Sequence, residues 1–322
     1  SLIKFIIKTK KNCLKLIMNI VCILLFIITA VMLFIEPQAT GALAREGLLN
    51  WFNNMIPSLF PFMILQSVFI GLGYDSYISK LFHPVFKKLF RINPNGYSAI
   101  LIGFLCGFPM GAITIKELYQ SERISKRDAE LLLSFCNNLG PIYCVSQIMP
   151  LLEPAYQIIF LSFTYAIPLL YGIIITKLSP AHEKGILHKT APKTLKELFP
   201  CALQKAINAI VTLGGCMIFF NVVRIVPALI PIDSVYYNCI SSGLMEIGSF
   251  VNCLKENRTF FSQIESICLL SMIHPGGLSC MIQTMCVLQG SDLSFGKYVM
   301  HKLIQLLIWL LLCTILVFCG IQ

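Results

Sequence analysis

Two short runs hold residue types suited to binding a polar solute: Asn137-Asn138-Leu139-Gly140-Pro141 and His274-Pro275-Gly276-Gly277. Each interrupts an apolar stretch. Proline removes a backbone donor and glycine relaxes the backbone, so a helix passing through either run unwinds there. In lipid an unpaired backbone group costs several kcal/mol, which confines irregular backbone to the protein interior or the wall of a water-filled cavity. The freed amides and carbonyls, with half-helix dipoles behind them, suit an anion or a cation. Asn137 and Asn138 add neutral donors and acceptors. One break alone reads rather as a proline kink whose asparagine bonds a neighbouring helix. Two breaks in matching places point to a site.

Other positions fit the same chemistry. The segment Gly103-Phe-Leu-Cys-Gly-Phe-Pro-Met-Gly111 contributes Gly107, Pro109 and Gly111. Glu246 stands in the otherwise uncharged stretch 236–253. An intramembrane carboxylate is costly and marks a proton or cation site by default, although at a wet hairpin tip it would need no such role. Ser279 and Gln283 follow the second break and would face the same cavity, or bond between helices. Arg224 either pairs with an anionic solute or snorkels to the interface, and His274 either titrates near neutrality or caps the broken helix. Lys116 and Glu117 mark an interfacial end. Enzymatic patterns are missing: no G-x-S-x-G, H-E-x-x-H or P-loop occurs, and Gly103–Gly111 lacks the Lys-Ser/Thr of a phosphate loop. None of the 14 Cys falls in a C-x-x-C pair, so they read as small buried hydrophobes, and no metal is expected.

The elements that must position these residues follow from the solvent. The 322-residue chain is 57% apolar and only 12% charged, against about 45–50% and about 25% in average globular proteins. Such a surface belongs in lipid. Apolar runs near the ~20 residues that cross a bilayer occur at Leu14–Ile35, Tyr156–Ile175, Ala206–Ile230 and Leu303–Ile321. Barrel-type alternation is missing, so the spans are helices. Lys4, Lys8, Lys10, Lys11 and Lys15 precede the first run, whose length argues for a retained helix rather than a signal peptide. The net charge of +10 is a topology signal rather than a nucleic-acid one. Of the 25 Lys+Arg, all but Arg45, Lys205, Arg224, Lys255 and Arg258 fall in segments placed on the cytoplasmic side, Lys297 and Lys302 included.

These features divide the chain into an N-terminal transmembrane helix (1–38), a first repeat (39–176), a cytoplasmic linker (177–194) and a second repeat (195–322). The halves share an order of apolar helix, Gly-rich segment, broken helix and full span. Basic residues flank Gly103–Gly111 on both sides, which predicts a re-entrant hairpin, and its counterpart around Glu246 would enter from the opposite face. Inverted repeats of this kind are a hallmark of secondary transporters.

The residues Pro57-Ser-Leu-Phe-Pro-Phe62, Gly103–Ala112, Glu117-Leu-Tyr119, Ile124-Ser125 and Leu131–Pro141 (LLLSFCNNLGP), with Gly243-Leu-Met-Glu-Ile247 and Gly277-Leu-Ser279 through Gln283, resemble the YlbJ-type sporulation integral membrane proteins, which carry a nucleoside-recognition (Gate) domain. The likeness covers roughly residues 40–320 by pattern. It departs at Gly248-Ser249 and His274-Pro275. It implies an all-α polytopic helical bundle similar to concentrative nucleoside transporters, with re-entrant hairpins and broken helices around a central site. It further implies transport of dipicolinic acid, an aromatic dicarboxylate, across the outer forespore membrane during endospore formation, with the N-terminus cytoplasmic and a homo-oligomer allowed.

The expectation is therefore a transporter of a small organic anion, not an enzyme, embedded in the bilayer, with no cofactor beyond a coupling cation (Na+ or H+) and no nucleic acid. Its site would comprise Asn137, Asn138, Gly140, Pro141, Gly107, Pro109, Gly111, Glu246, Pro275, Gly276, Gly277, Ser279 and Gln283. Asn137→Ala would abolish transport at normal abundance. The rivals are a carrier of nucleoside-like solutes, a sporulation scaffold recruiting partners through the loop Lys177–Lys196, and a membrane-embedded enzyme.

Overall fold

In a computed structural model, residues 20, 22–180 and 194–319 are described. They are helical and contain no strand. Much of the expected linker, and the N-terminal basic run, lie outside the described residues. Among the described residues five helices are long and apolar enough to cross a membrane: Pro37–Gly71, Pro154–Leu178, Leu195–Ala228, Gln263–Leu288 and Phe295–Phe318. Large apolar side chains such as Phe34, Leu178 and Phe318 point outward, more than 80% exposed. A lipid solvent requires such a surface. This is a polytopic helical membrane protein, as the hydropathy predicts.

The chain begins with α1 (Cys22–Ile35) and then α2 (Pro37–Gly71), which is one helix with a π turn at Trp51–Met55. The amphipathic α3 (Asp75–Leu89) ends at the interface on Lys87 and Lys88. Helices α4 (Tyr97–Cys106) and α5 (Met110–Gln120) form a hairpin whose tip turns at Gly107 (φ 80). Next come α6 (Lys126–Cys136), the break at 137–140, and the short α7 (Pro141–Tyr143), which runs on as a second π turn, Cys144–Ile148. The full span α8 (Pro154–Leu178) closes the first half.

The second half repeats the order. The long α9 (Leu195–Ala228) is followed by a hairpin of α10 (Val235–Met245) and α11 (Ile247–Glu256), with Glu246 at its tip. Then come α12 (Gln263–Leu270), a break through His274-Pro275-Gly276, α13 (Gly277–Leu288) and the span α14 (Phe295–Phe318). Helix starts are set locally: Ser125, Ser234 and Ser294 accept from backbone amides of their first turns, and Thr194–Glu197 and Ser262–Glu265 are capping boxes, each satisfying amides that have no helical partner.

End contacts fix how the halves run. On one face, Lys126 reaches Asp292 at 2.7 Å, Lys297 reaches Glu130 at 2.6 Å and Lys205 reaches Glu117 at 2.5 Å. On the opposite face, Arg224 pairs with Glu46 at 2.5 Å, Lys255 donates to Gln147 at 2.8 Å and the Glu153 amide to Gln263 at 2.9 Å. Thus α6–α7 starts at the Asp292 face and ends at the Glu46 face, whereas α12–α13 does the reverse. The α4–α5 hairpin opens to the Asp292 face and the α10–α11 hairpin to the Glu46 face.

Two sequence readings need revision. Lys302 was placed with the basic loop residues, but it lies inside α14 at 0% exposure. A single lysine at the end of a loop-like basic cluster gives no sign that its helix has already entered the protein. The cysteines are not all simple hydrophobes either: Cys239 and Cys253, one on each arm of the second hairpin, form a disulfide with Cα atoms 5.4 Å apart.

Candidate functional site

The glycines of the first hairpin make close backbone contact with the first break. A Cβ at Gly107 would lie 2.3 Å from the Gly140 amide nitrogen. One at Gly111 would lie 2.2 Å from the Cys136 carbonyl oxygen. The hairpin tip is seated directly on the unwound segment, and the Phe108 amide donates to the Asn138 carbonyl at 2.7 Å. The second half packs in the same way: a Cβ at Gly277 would approach the Gly243 carbonyl oxygen to 2.8 Å. Gly276 adopts φ 88 to start α13.

Side chains take up the backbone groups freed at the first break. The Ser134 carbonyl accepts from Gln305 at 2.7 Å, that of Phe135 from Asn138 at 2.6 Å, and that of Leu139 from Tyr165 at 3.2 Å. Asn137 is fully buried. Its amide donates to Thr284 (3.0 Å) and Tyr298 (3.2 Å), and its oxygen accepts from the Ala112 amide at 3.3 Å. Asn138 accepts from the Lys302 ammonium at 2.7 Å. Both asparagines therefore bond together the first hairpin, the second broken helix and α14, and neither lines a cavity. Removing Asn137 leaves the buried Ala112 amide without its side-chain acceptor and takes one bond each from Tyr298 and from Thr284, which keeps its bond to the Cys280 carbonyl; an unsatisfied buried group costs ~1–3 kcal/mol. Asn137→Ala is accordingly expected to lower abundance and melting temperature. A variant of normal abundance and melting temperature would contradict this bonding role.

The open space lies beside the breaks. A central cavity of ≈ 450 Å³ is walled by both hairpin tips (Phe108, Glu246), the first break (Gly140), α9 (Leu213) and α13 (Gln283). The two π turns also line it, through Asn53, Asn54, Ser146 and Gln147, with Ser58 and Tyr143 beside them. Toward the Glu46 face it continues into a space of ≈ 230 Å³ that shares Asn53, Asn54, Tyr143 and Gln147. Toward the other face a third space, ≈ 290 Å³, holds Pro109, Lys116, Glu117 and Lys205. Leu213 and Gln283 belong to both it and the central cavity. The three spaces adjoin, and Leu213 and Gln283 form the wall that the central and third ones share.

Of the residues singled out from sequence, Gly140, Glu246 and Gln283 line the central cavity and Pro109 the third. Gly107, Gly111, Gly276 and Gly277 provide close approach. Pro275 is buried at the second break, and Pro141 starts α7 at its edge. Ser279 is fully buried and accepts from Gln283 at 3.1 Å, which aims that amide. Glu246 is 4% exposed, and its carboxylate caps α11 by accepting from the Ser249 amide at 2.9 Å. It is an interior carboxylate, not a wet tip. Among the described residues no cluster of His, Cys, Asp and Glu suits a metal ion.

Sequence reasoning missed three features. The two π turns present Asn53-Asn54 and Ser146-Gln147 to the cavity; paired polar residues inside apolar helices were the available signal, and π turns recur at functional sites. The third is a buried stripe on α14, Tyr298, Lys302, Gln305 and Trp309, spaced four, three and four residues apart and at most 1% exposed. Beyond its contacts to the first break, it reaches the second half, where Gln305 bonds His274 at 2.9 Å and Trp309 donates to the Ile267 carbonyl at 3.2 Å.

Fold and cavities together define a multi-pass helical membrane protein with a solute-sized interior. Residues 52–150 match the family model of Gate, described as nucleoside recognition. The chain is similar to the sporulation integral membrane protein YlbJ of Bacillus subtilis (strain 168), 24% identical over 310 residues that cover 84% of this chain and 76% of that protein. The two matches support a YlbJ-type protein. No solved structure matches it.

Proposed function

We propose that the protein is a secondary transporter of a small polar organic solute, acting in sporulation as its YlbJ relative's name indicates. The observation carrying this is a central cavity with a further space on either side of it, sharing Leu213 and Gln283 with one and Asn53, Asn54, Tyr143 and Gln147 with the other. A central volume of ≈ 450 Å³ falls within the ~300–1,000 Å³ of small-molecule sites. The opposed hairpins and broken helices support reading the halves as inverted repeats that rock about this site. A scaffold has no need of such adjoining polar cavities between two faces.

Dipicolinate is the substrate to try first, on the resemblance. One observation favours a second reading, an uncharged nucleoside-like solute: the central cavity is lined by Glu246 and neutral polar groups, with no Lys or Arg. Two like charges 4 Å apart repel by ~1 kcal/mol in water and ~4 kcal/mol near a protein surface. A dicarboxylate would therefore have to travel protonated or with a cation. The basic residues Lys116, Lys126 and Lys297 support placing the Asp292 face in the cytoplasm, and the Cys239–Cys253 disulfide supports placing the Glu46 face on the oxidising side.

The test is uptake of labelled dipicolinate and of a labelled nucleoside into vesicles carrying wild type or Leu213→Trp, which puts a larger side chain at the wall shared by the central and third cavities. Uptake of either solute that the substitution reduces at least tenfold, about 1.4 kcal/mol in the barrier, supports transport and names the class. If inserted, folded protein moves neither, the transport reading falls and a scaffold acting through the loop Lys177–Lys196 takes its place.

A further inference from the structure

Lys302 is the most unusual charge in the molecule. Of the described basic residues, only it and Arg123 are essentially buried. Arg123 pairs with Asp75 at 2.5 Å. Lys302 has no carboxylate partner among the described residues. Its ammonium contacts the Asn138 side-chain oxygen at 2.7 Å and lies over two aromatic rings, 5.5 Å from the centre of Phe108 and 6.0 Å from that of Tyr298. The titratable groups within electrostatic reach are Cys136 at the end of α6 and His274 at the second break.

A buried charge without a counter-ion is expensive and is kept only where the surroundings favour it. Here they do. The C-terminal end of a half-helix carries partial negative charge, and α6 ends beside Lys302, at Cys136. An amide oxygen and two ring faces complete a pocket of the kind that attracts cations. In transporters, unwound backbone and half-helix C-terminal ends are where coupling cations bind.

We propose that this pocket, formed by Asn138, Phe108, Tyr298 and the end of α6, is a monovalent-cation site that the Lys302 ammonium fills permanently as a tethered cation. The first half then needs no free ion to hold its break against the hairpin tip. Removing the ammonium should uncover a site that accepts a small free cation, methylammonium above all, because it restores the same group to the same place.

The experiment does not depend on transport. Purified wild type, Lys302→Ala and Lys302→Met are melted in the chloride salts of N-methylglucamine, sodium and methylammonium at equal ionic strength. Wild type should melt alike in all three. Lys302→Ala should melt several degrees lower in N-methylglucamine and recover at least half of that loss in methylammonium. Lys302→Met, which fills the space without charge, should melt low in every salt. Salt-independent melting of Lys302→Ala, or wild-type melting of Lys302→Met, overturns the proposal. If Lys302→Ala is not recovered after extraction, Lys302→Arg decides against Lys302→Met: accumulation of the arginine variant alone supports a required charge, and any other pattern rejects it. Should the protein carry no solute at all, these outcomes keep their meaning.

Discussion

Gly103→Ala should leave little folded protein in the membrane. A Cβ there would stand 1.9 Å from the Cys136 carbonyl oxygen, and Gly111 faces the same oxygen from the other arm of the hairpin. The obstacle is backbone held in place by helices on both sides, with no side chain free to swing away. Overpacking normally costs about 1–3 kcal/mol when side chains can adjust, so this case belongs above that range. Against a total stability of ~5–15 kcal/mol, a tenfold or greater fall in accumulated protein is expected. Gly215→Ala is the control, since nothing lies within 4 Å of the added carbon. Equal accumulation of both variants would show that the hairpin does not seat on the break as described.

The second large effect falls on function. Glu246→Gln keeps the size of the side chain, and its amide oxygen can still accept from the Ser249 amide, so folding should be little changed. The charge is lost, however, at a cavity wall where Gly140, Phe108 and Gln283 converge. A hydrogen bond to a charged group is worth ~1.5–3 kcal/mol, which corresponds to a loss of about 10- to 100-fold in uptake at limiting solute. Full uptake by Glu246→Gln would remove the carboxylate from the site. A matching fall in melting temperature would instead mark Glu246 as a cap of α11 and nothing more.

Much of this architecture is legible in the letters. Low charge and long apolar runs require lipid-facing helices, and Pro and Gly inside those runs require breaks. The paired Gly segments predict the hairpins, and Glu246 stands out because a carboxylate is conspicuous among neutral residues. The centre of the site was harder to place. Asn137 and Asn138 look like ligands because amides at an unwound turn are free in sequence; only folding brings Thr284, Tyr298 and Lys302 across more than 140 positions to occupy them. Several polar groups that line the central cavity come from the π turns, whose mark in the sequence is faint: paired polar residues inside apolar helices. Lys302 misled for a related reason: hydropathy assigns a charge near a helix start to the interface, although the tertiary structure carries it into the core.

The stripe on α14 bears on the timing of any movement. One rigid helix is bonded to the first break through Tyr298, Lys302 and Gln305, and to the second half through Gln305 and Trp309. It acts as a shared crankshaft. Neither break can rearrange while α14 stays put, and α14 cannot shift without disturbing both. Intermediates with only one half changed are therefore raised in energy, and those are the conformations in which both ends of the adjoining cavities would stand open together. In the proposed transporter a membrane held at a potential would leak through such a state, and the single helix bonded at both breaks would keep its population low.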